Sequence, residues 1–138
     1  MPTQKIAQNY LRVAQNVAAA CVAAQRSPET VLLLAVSKTH PMTSVLAAYN
    51  AGARHFGENY AQEGTAKIEA LDEHLPKNQA VWHFIGPLQS NKSRAVAEYF
   101  DWVHSVDRLK IAQRLNEQRP VSRAPLNICL QVNMDDEA

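Results

Sequence analysis

Lys38 is the sharpest chemical group in the sequence. In AVSKTHP (residues 35–41) it stands directly after an unbroken apolar run, VLLLAV, over residues 31–36. Parallel α/β folds assemble their sites at the carboxyl ends of strands. An amine there is expected to be partly desolvated, which disfavours the ammonium form; the neutral amine is the form that attacks an aldehyde to make a Schiff base. The competing role is structural, a lysine whose stem covers the strand end while its head reaches water.

Other strand ends deliver more polar groups to the same rim. Asn59 follows GE in HFGEN; His83 precedes Gly86, Gln89 and Ser90 in WHFIGPLQS; Ser105 and Asp107 sit in VHSVD. Asn59, with Gln62 three residues on, has capping-box spacing, and Ser90, Asn91 and Asp107 are equally good helix caps. His55, His83 and His104 fall within or at the ends of expected strands. A lone histidine there is more often a hydrogen-bonded core residue than a ligand, and no pair has the helical spacing of a zinc site. Gly57 and Gly86 suit turns that need positive φ.

These groups must be positioned by a regular scaffold. Apolar residues Ile6, Tyr10, Val13, Val17, Cys21 and Ala24 recur at spacings of three and four, which predicts an amphipathic helix over 6–25. Strands are predicted at 31–36, 53–56, 80–85, 102–104 and 126–132, and the first, apolar throughout, is expected to be buried on both faces. Helices are predicted between them, at 42–52 with Gly52 as the stop and at 60–71, 92–99 and 107–118. The βα repeat of about 24 residues implies a parallel sheet, either doubly wound or a (β/α)₈ barrel. With no GxGxxG and no Walker lysine loop, nucleotide-binding forms lose support. A barrel of eight such units plus the leading helix needs roughly 230 residues, and 138 residues supply five strands. The pattern gives an α/β fold and leaves both forms open; as a barrel, five units and the leading helix would make a partial (β/α)₈ TIM barrel with an extra N-terminal helix.

Composition narrows the function classes. Lys and Arg total 14 against 13 Asp and Glu, scattered along the chain, so there is no electrostatic footprint for nucleic acid or an anionic membrane. No apolar stretch has the length of a bilayer span, and the polar, amphipathic N-terminus lacks a secretory signal's apolar region. Cys21 and Cys129 are far apart, which indicates neither a disulfide framework nor a zinc site. The cytoplasm is the expected compartment.

Five segments in order, LLLAVSKTHP (32–41), GARHFGENYAQE (52–63), WHFIGPLQSNKSR (82–94), VHSVD (103–107) and LQVNMDDEA (130–138), resemble the signatures of the pyridoxal phosphate homeostasis proteins. The resemblance implies a barrel like the N-terminal domain of alanine racemase. It also implies pyridoxal 5′-phosphate (PLP) as cofactor, held as an internal aldimine on Lys38, with Asn59 and His83 beside the cofactor ring and Ser105 lining the cavity. Two departures stand out: His40 replaces a lysine common in the family, and the sequence stops before the Ser-Lys-Ser-Gly loop and the last three strands, whose loops hold the phosphate.

The resemblance implies a non-catalytic protein of intracellular PLP homeostasis that takes up PLP on Lys38 and passes it to apo PLP-dependent enzymes. A racemase-type PLP enzyme is the alternative; it requires a second acid/base group across the ring. A cofactor-free Schiff-base aldolase would use the same lysine and leave the other motifs unexplained. A complete barrel of this type is expected to be monomeric. A chain of five units is expected to be the N-terminal part of one truncated domain, with open first and fifth strands, and prone to self-association.

Overall fold

Five strands and five helices alternate in a computed structural model that describes residues 2–135; the end of the last motif, 136–138, lies outside the described residues. Helix α1 (Thr3–Ala23) is followed by strand β1 (Ala35–Val36), helix α2 (Met42–Asn50), β2 (His55–Glu58) and α3 (Ala61–His74). Then come β3 (Val81–Phe84), α4 (Ser93–Tyr99), β4 (Trp102–Val106), α5 (Leu109–Gln118) and β5 (Asn127–Leu130). All four strand pairings are parallel, and the strands lie side by side in sequence order, β1-β2-β3-β4-β5. A doubly wound sheet reverses direction from a central strand; strict sequential order is the singly wound arrangement of the barrel.

Local chemistry sets the boundaries. Helix α2 ends in a Schellman motif: Gly52, at φ 112°, donates its N–H to Tyr49 O, and Ala53 donates to Ala48 O at 2.9 Å. On one face of the sheet the register aligns Phe56 with Trp82 and Glu58 with Phe84. This face meets the helices in a core that includes Phe56, Phe84, Val96, Phe100, Ile111 and Leu115. Phe84 and Phe100 meet edge to face with centroids 5.5 Å apart, a favoured aromatic geometry. Helix α1 adds Ile6 and Tyr10 against this core. At the amino ends of the strands, Asp101 accepts Trp82 N–H at 2.8 Å and pairs with Arg123 at 2.9 Å, while Arg119 Nη1 donates to the carbonyls of Ala97 and Phe100.

Several sequence expectations need correction. The strand anticipated over 31–36 pairs with β2 only at its end, and Val31, Leu32 and Val36 are exposed rather than buried on both faces. The reason is its place at the sheet edge, with one neighbouring strand and little to cover it. β5, the other edge, is exposed along its whole length, including Ile128 and Leu130. β2 lies two residues later than anticipated, and β4 extends to Val106. None of the proposed caps forms. The residues before α3 and α5 are Tyr60 and Arg108, and neither helix has a side-chain cap. Ser90 falls in a 3₁₀ turn, where its carbonyl accepts from Ser93 Oγ and Arg114 Nε and its hydroxyl caps no helix.

Candidate functional site

The carboxyl ends of β1 to β4 form a rim, and the anticipated groups are distributed along it. Ser37 N–H continues the β1 ladder by donating to Gly57 O at 2.9 Å. Strand alternation sets Val36 toward the face away from the helices and Ser37 toward them, and Lys38 follows in a turn closed by His40 N–H donating to Ser37 O at 3.1 Å. Lys38 is exposed. The desolvation anticipated from its position is not seen, because it leaves the edge strand and no described element covers it. The next residue, Thr39, turns the chain with φ 63°, a conformation that a β-branched residue adopts only when its surroundings impose it.

Those surroundings are a buried polar network behind the lysine. Lys67 Nζ, on α3, donates to Ser37 O at 2.6 Å, Glu58 Oε1 at 2.7 Å and Glu63 Oε1 at 2.8 Å. Ser37 Oγ donates to Glu58 Oε1 at 2.7 Å, and Thr39 N–H donates to Glu63 Oε1 at 2.6 Å. Glu58 is fully buried and Lys67 nearly so. The hydrogen bond from Lys67 holds the Glu63 carboxyl below its ordinary value, and the bond from the Thr39 N–H acts the same way. No residue of the Glu58, Glu63 and Lys67 set was singled out in the sequence. One signal was available: a Glu-Lys pair four residues apart on a helix.

Asn59 and Ser105 meet through Gly86. A Cβ on Gly86 would lie 2.4 Å from Asn59 Cβ and 2.5 Å from Asn59 O, so the strand ends approach closely only because residue 86 has no side chain. Ser105 Oγ donates to Gly86 O at 2.6 Å. Asn59 Oδ1 is buried and has no hydrogen-bond partner in the structure. An unpaired buried acceptor is uncommon and carries a cost in stability. Beside this cluster a cleft of about 530 Å³ opens between the ends of β3 and β4, lined by Ile85, Gly86, Gln89, Ser105, Arg108 and Gln131.

His83 lies one step deeper in the sheet. On the face away from the helices it pairs in register with Gly57 and Trp102. Its Nε2 is 2.9 Å from His55 Nδ1 and its Nδ1 is 2.9 Å from His104 Nε2, and its ring stacks on Trp102 at 5.6 Å with 9° between planes. Three histidines on adjacent strands thus form a ladder in which each N···N contact needs one donor and one acceptor, so the ring protons run head to tail. Burial pushes the His83 ring down to about 4, and the nearby imidazoles of His104 and His55 push the same way. Burial also lowers His55, against the opposing pull of Asp101, and lowers His104. Both His83 nitrogens are engaged by its neighbours. Among the described residues no group of three or more His, Cys, Asp or Glu side chains is arranged to hold a metal ion.

A singly wound parallel sheet, with polar groups gathered at its strand carboxyl ends and a primary amine leaving the first strand, defines an α/β-barrel protein with its site on that rim. The chain matches the family model for the alanine racemase N-terminal domain over residues 4–137, and it belongs to that family.

Among curated relatives, proteins named "Pyridoxal phosphate homeostasis protein" from Pseudomonas aeruginosa and Escherichia coli are 59% and 54% identical, over 133 and 132 residues. Each alignment covers 96% of this chain and 56% of the relative. Among solved structures, PipY of Synechococcus elongatus with PLP bound superposes with a TM-score of 0.73 at 42% identity, covering 91% of this chain and 57% of PipY. The chain thus spans about half the length of the relatives it matches. No described helix is long and apolar enough to cross a membrane.

Proposed function

We propose that this chain binds PLP at the strand-end rim and serves PLP homeostasis, with Lys38 as the amine that bonds the cofactor covalently. The observation that carries the reading is Lys38 itself, an exposed primary amine where the chain leaves β1 at the strand-end rim, in a chain 42% identical to a protein whose structure holds PLP. PLP supplies an aldehyde that condenses with a primary amine and a ring that withdraws electrons from what is attached to it. Lys38 suits the chemistry of the aldehyde, although it does not itself line the cleft beside Gly86 and Ser105. Lys38 offers the amine, Asn59 Oδ1 is a buried acceptor without a partner, and Ser105 and Gly86 border the cleft. With both ring nitrogens engaged, His83 contributes by shaping the floor of the site.

Holding and passing on the cofactor to apo enzymes, without catalysis, is the role we assign. The names of the relatives support it. The same reading places the protein in the cytoplasm. It also assigns the five βα units to a barrel of the eight-unit type, expected to act as a monomer. The sequential sheet with exposed strands at both edges is consistent with that.

Mixing the chain with PLP should give a visible absorption band that stays with the protein through gel filtration and is absent from Lys38→Ala. An unchanged band in the variant would rule out Lys38 as the attachment point. Incubating the loaded protein with single-enantiomer amino acids and following chirality by chromatography separates holder from enzyme, and rapid racemisation would overturn the non-catalytic role.

A further inference from the structure

We propose that Lys67, acting with Glu58 and Glu63, is a positioning residue that sets where Lys38 stands. The proposal rests on the reading of Lys38 as the attachment amine and extends it to groups that are not at the rim surface.

Lys38 has a flexible four-carbon stem and is exposed, so its reach is governed by the backbone from which it springs. That backbone is fixed on both sides by one cluster. Before Lys38, the Ser37 carbonyl is held by Lys67 Nζ and the Ser37 hydroxyl by Glu58. After it, the Thr39 N–H is held by Glu63 while Thr39 sits at φ 63°. Lys67 ties both anchors together, because its ammonium touches Glu58 and Glu63 as well as Ser37.

A simple structural brace would not be built this way. Burying an ion pair seldom stabilises a fold over well-packed apolar residues. This cluster also leaves Glu58 Oε2 buried without a partner, a further cost. Two carboxylates converge on one ammonium, and every remaining hydrogen bond of the cluster goes to a residue adjacent to Lys38. That arrangement holds the strand end in place at the expense of stability.

The test compares the unchanged chain with the double variant Lys67→Met, Glu58→Gln, which removes the ammonium and the facing charge together and leaves no lone buried ion. Two ligands are titrated: PLP, which can bond to Lys38, and pyridoxine 5′-phosphate, which has the same ring and phosphate but no aldehyde. Positioning predicts that the rate of covalent attachment of PLP falls by about tenfold or more, since small misplacements of a reacting group have effects of that size. Affinity for pyridoxine 5′-phosphate stays within about twofold, and the double variant is as stable to urea as the parent or more so.

Equal losses for both ligands, or no loss for either, would overturn the proposal. Should the double variant fail to fold, Glu63→Ala removes the Thr39 anchor and one of the two carboxylates on Lys67, from a side chain that is 30% exposed. It should slow attachment in the same selective way, and unaltered attachment would count against the proposal. If the unchanged chain itself forms no bond at Lys38, the reading of Lys38 is what fails, a result separate from either variant's behaviour.

Discussion

Asn59 occupies the space where a side chain on Gly86 would be: a Cβ at residue 86 would lie 2.4 Å from Asn59 Cβ and 2.5 Å from its carbonyl oxygen. The neighbour is backbone as well as side chain, so it cannot swing aside. Gly86→Ala must therefore part the ends of β2 and β3. The expected result is a loss of about 1–3 kcal/mol in urea unfolding, together with weaker PLP binding, because Asn59 and the Ser105 bond to Gly86 O move with it.

Asn59→Ala should separate binding from stability. The Asn59 Oδ1 atom is buried and unpaired, so deleting it removes an uncompensated polar group. Stability should stay the same or rise by up to about 1 kcal/mol, while PLP affinity falls. Calorimetric melting of the free protein and a fluorescence titration measure the two effects independently, and a loss of stability comparable to the loss of binding would contradict this account.

Gly64 on α3 approaches Phe100 so closely that a Cβ would lie 2.5 Å from Phe100 Cζ. Alanine is the better helix former by up to about 1 kcal/mol. Phe100 is fully buried against Phe84, however, and has no room to withdraw, so the clash outweighs the propensity. Gly64→Ala should destabilise by about 1–2 kcal/mol net, read as a lower urea midpoint.

The histidine ladder predicts a pH dependence of stability. His83 is held near 4 in the folded state against an ordinary value of 6.5, so the unfolded chain binds the proton more readily. The contribution is complete above about pH 6.5 and is lost as pH falls toward 4, a span worth at most about 3 kcal/mol. The stability difference between the parent and His83→Gln should be constant at neutral and higher pH and shift in favour of the variant over that acidic window. A difference that does not vary with pH would show that His83 titrates normally.

How much of this was legible in the sequence depends on how local each feature is. The repeat of apolar runs and amphipathic stretches reveals a parallel α/β sheet, and AVSK marks a lysine at a strand end, because burial patterns and chain order are written residue by residue. Strand limits were less certain: VLLLAV reads as a fully buried strand, yet most of it lies outside the ladder at an edge. Asn59 carries every local mark of a cap, and only the close approach of Gly86 shows it to be an unpaired acceptor instead.

The sequence by itself determined the α/β class and the lysine that leaves the first strand. Tertiary structure decided what surrounds that lysine. His55, His83 and His104 are separated by more than twenty residues at each step, and only the parallel register of β2, β3 and β4 brings the facing ring nitrogens of neighbouring histidines to 2.9 Å. Glu58 and Lys67 are likewise ordinary charged residues until α3 packs across the sheet and buries them against Ser37. Contacts of this kind depend on relative strand shift and helix placement, quantities set by the whole core and carried by no single segment.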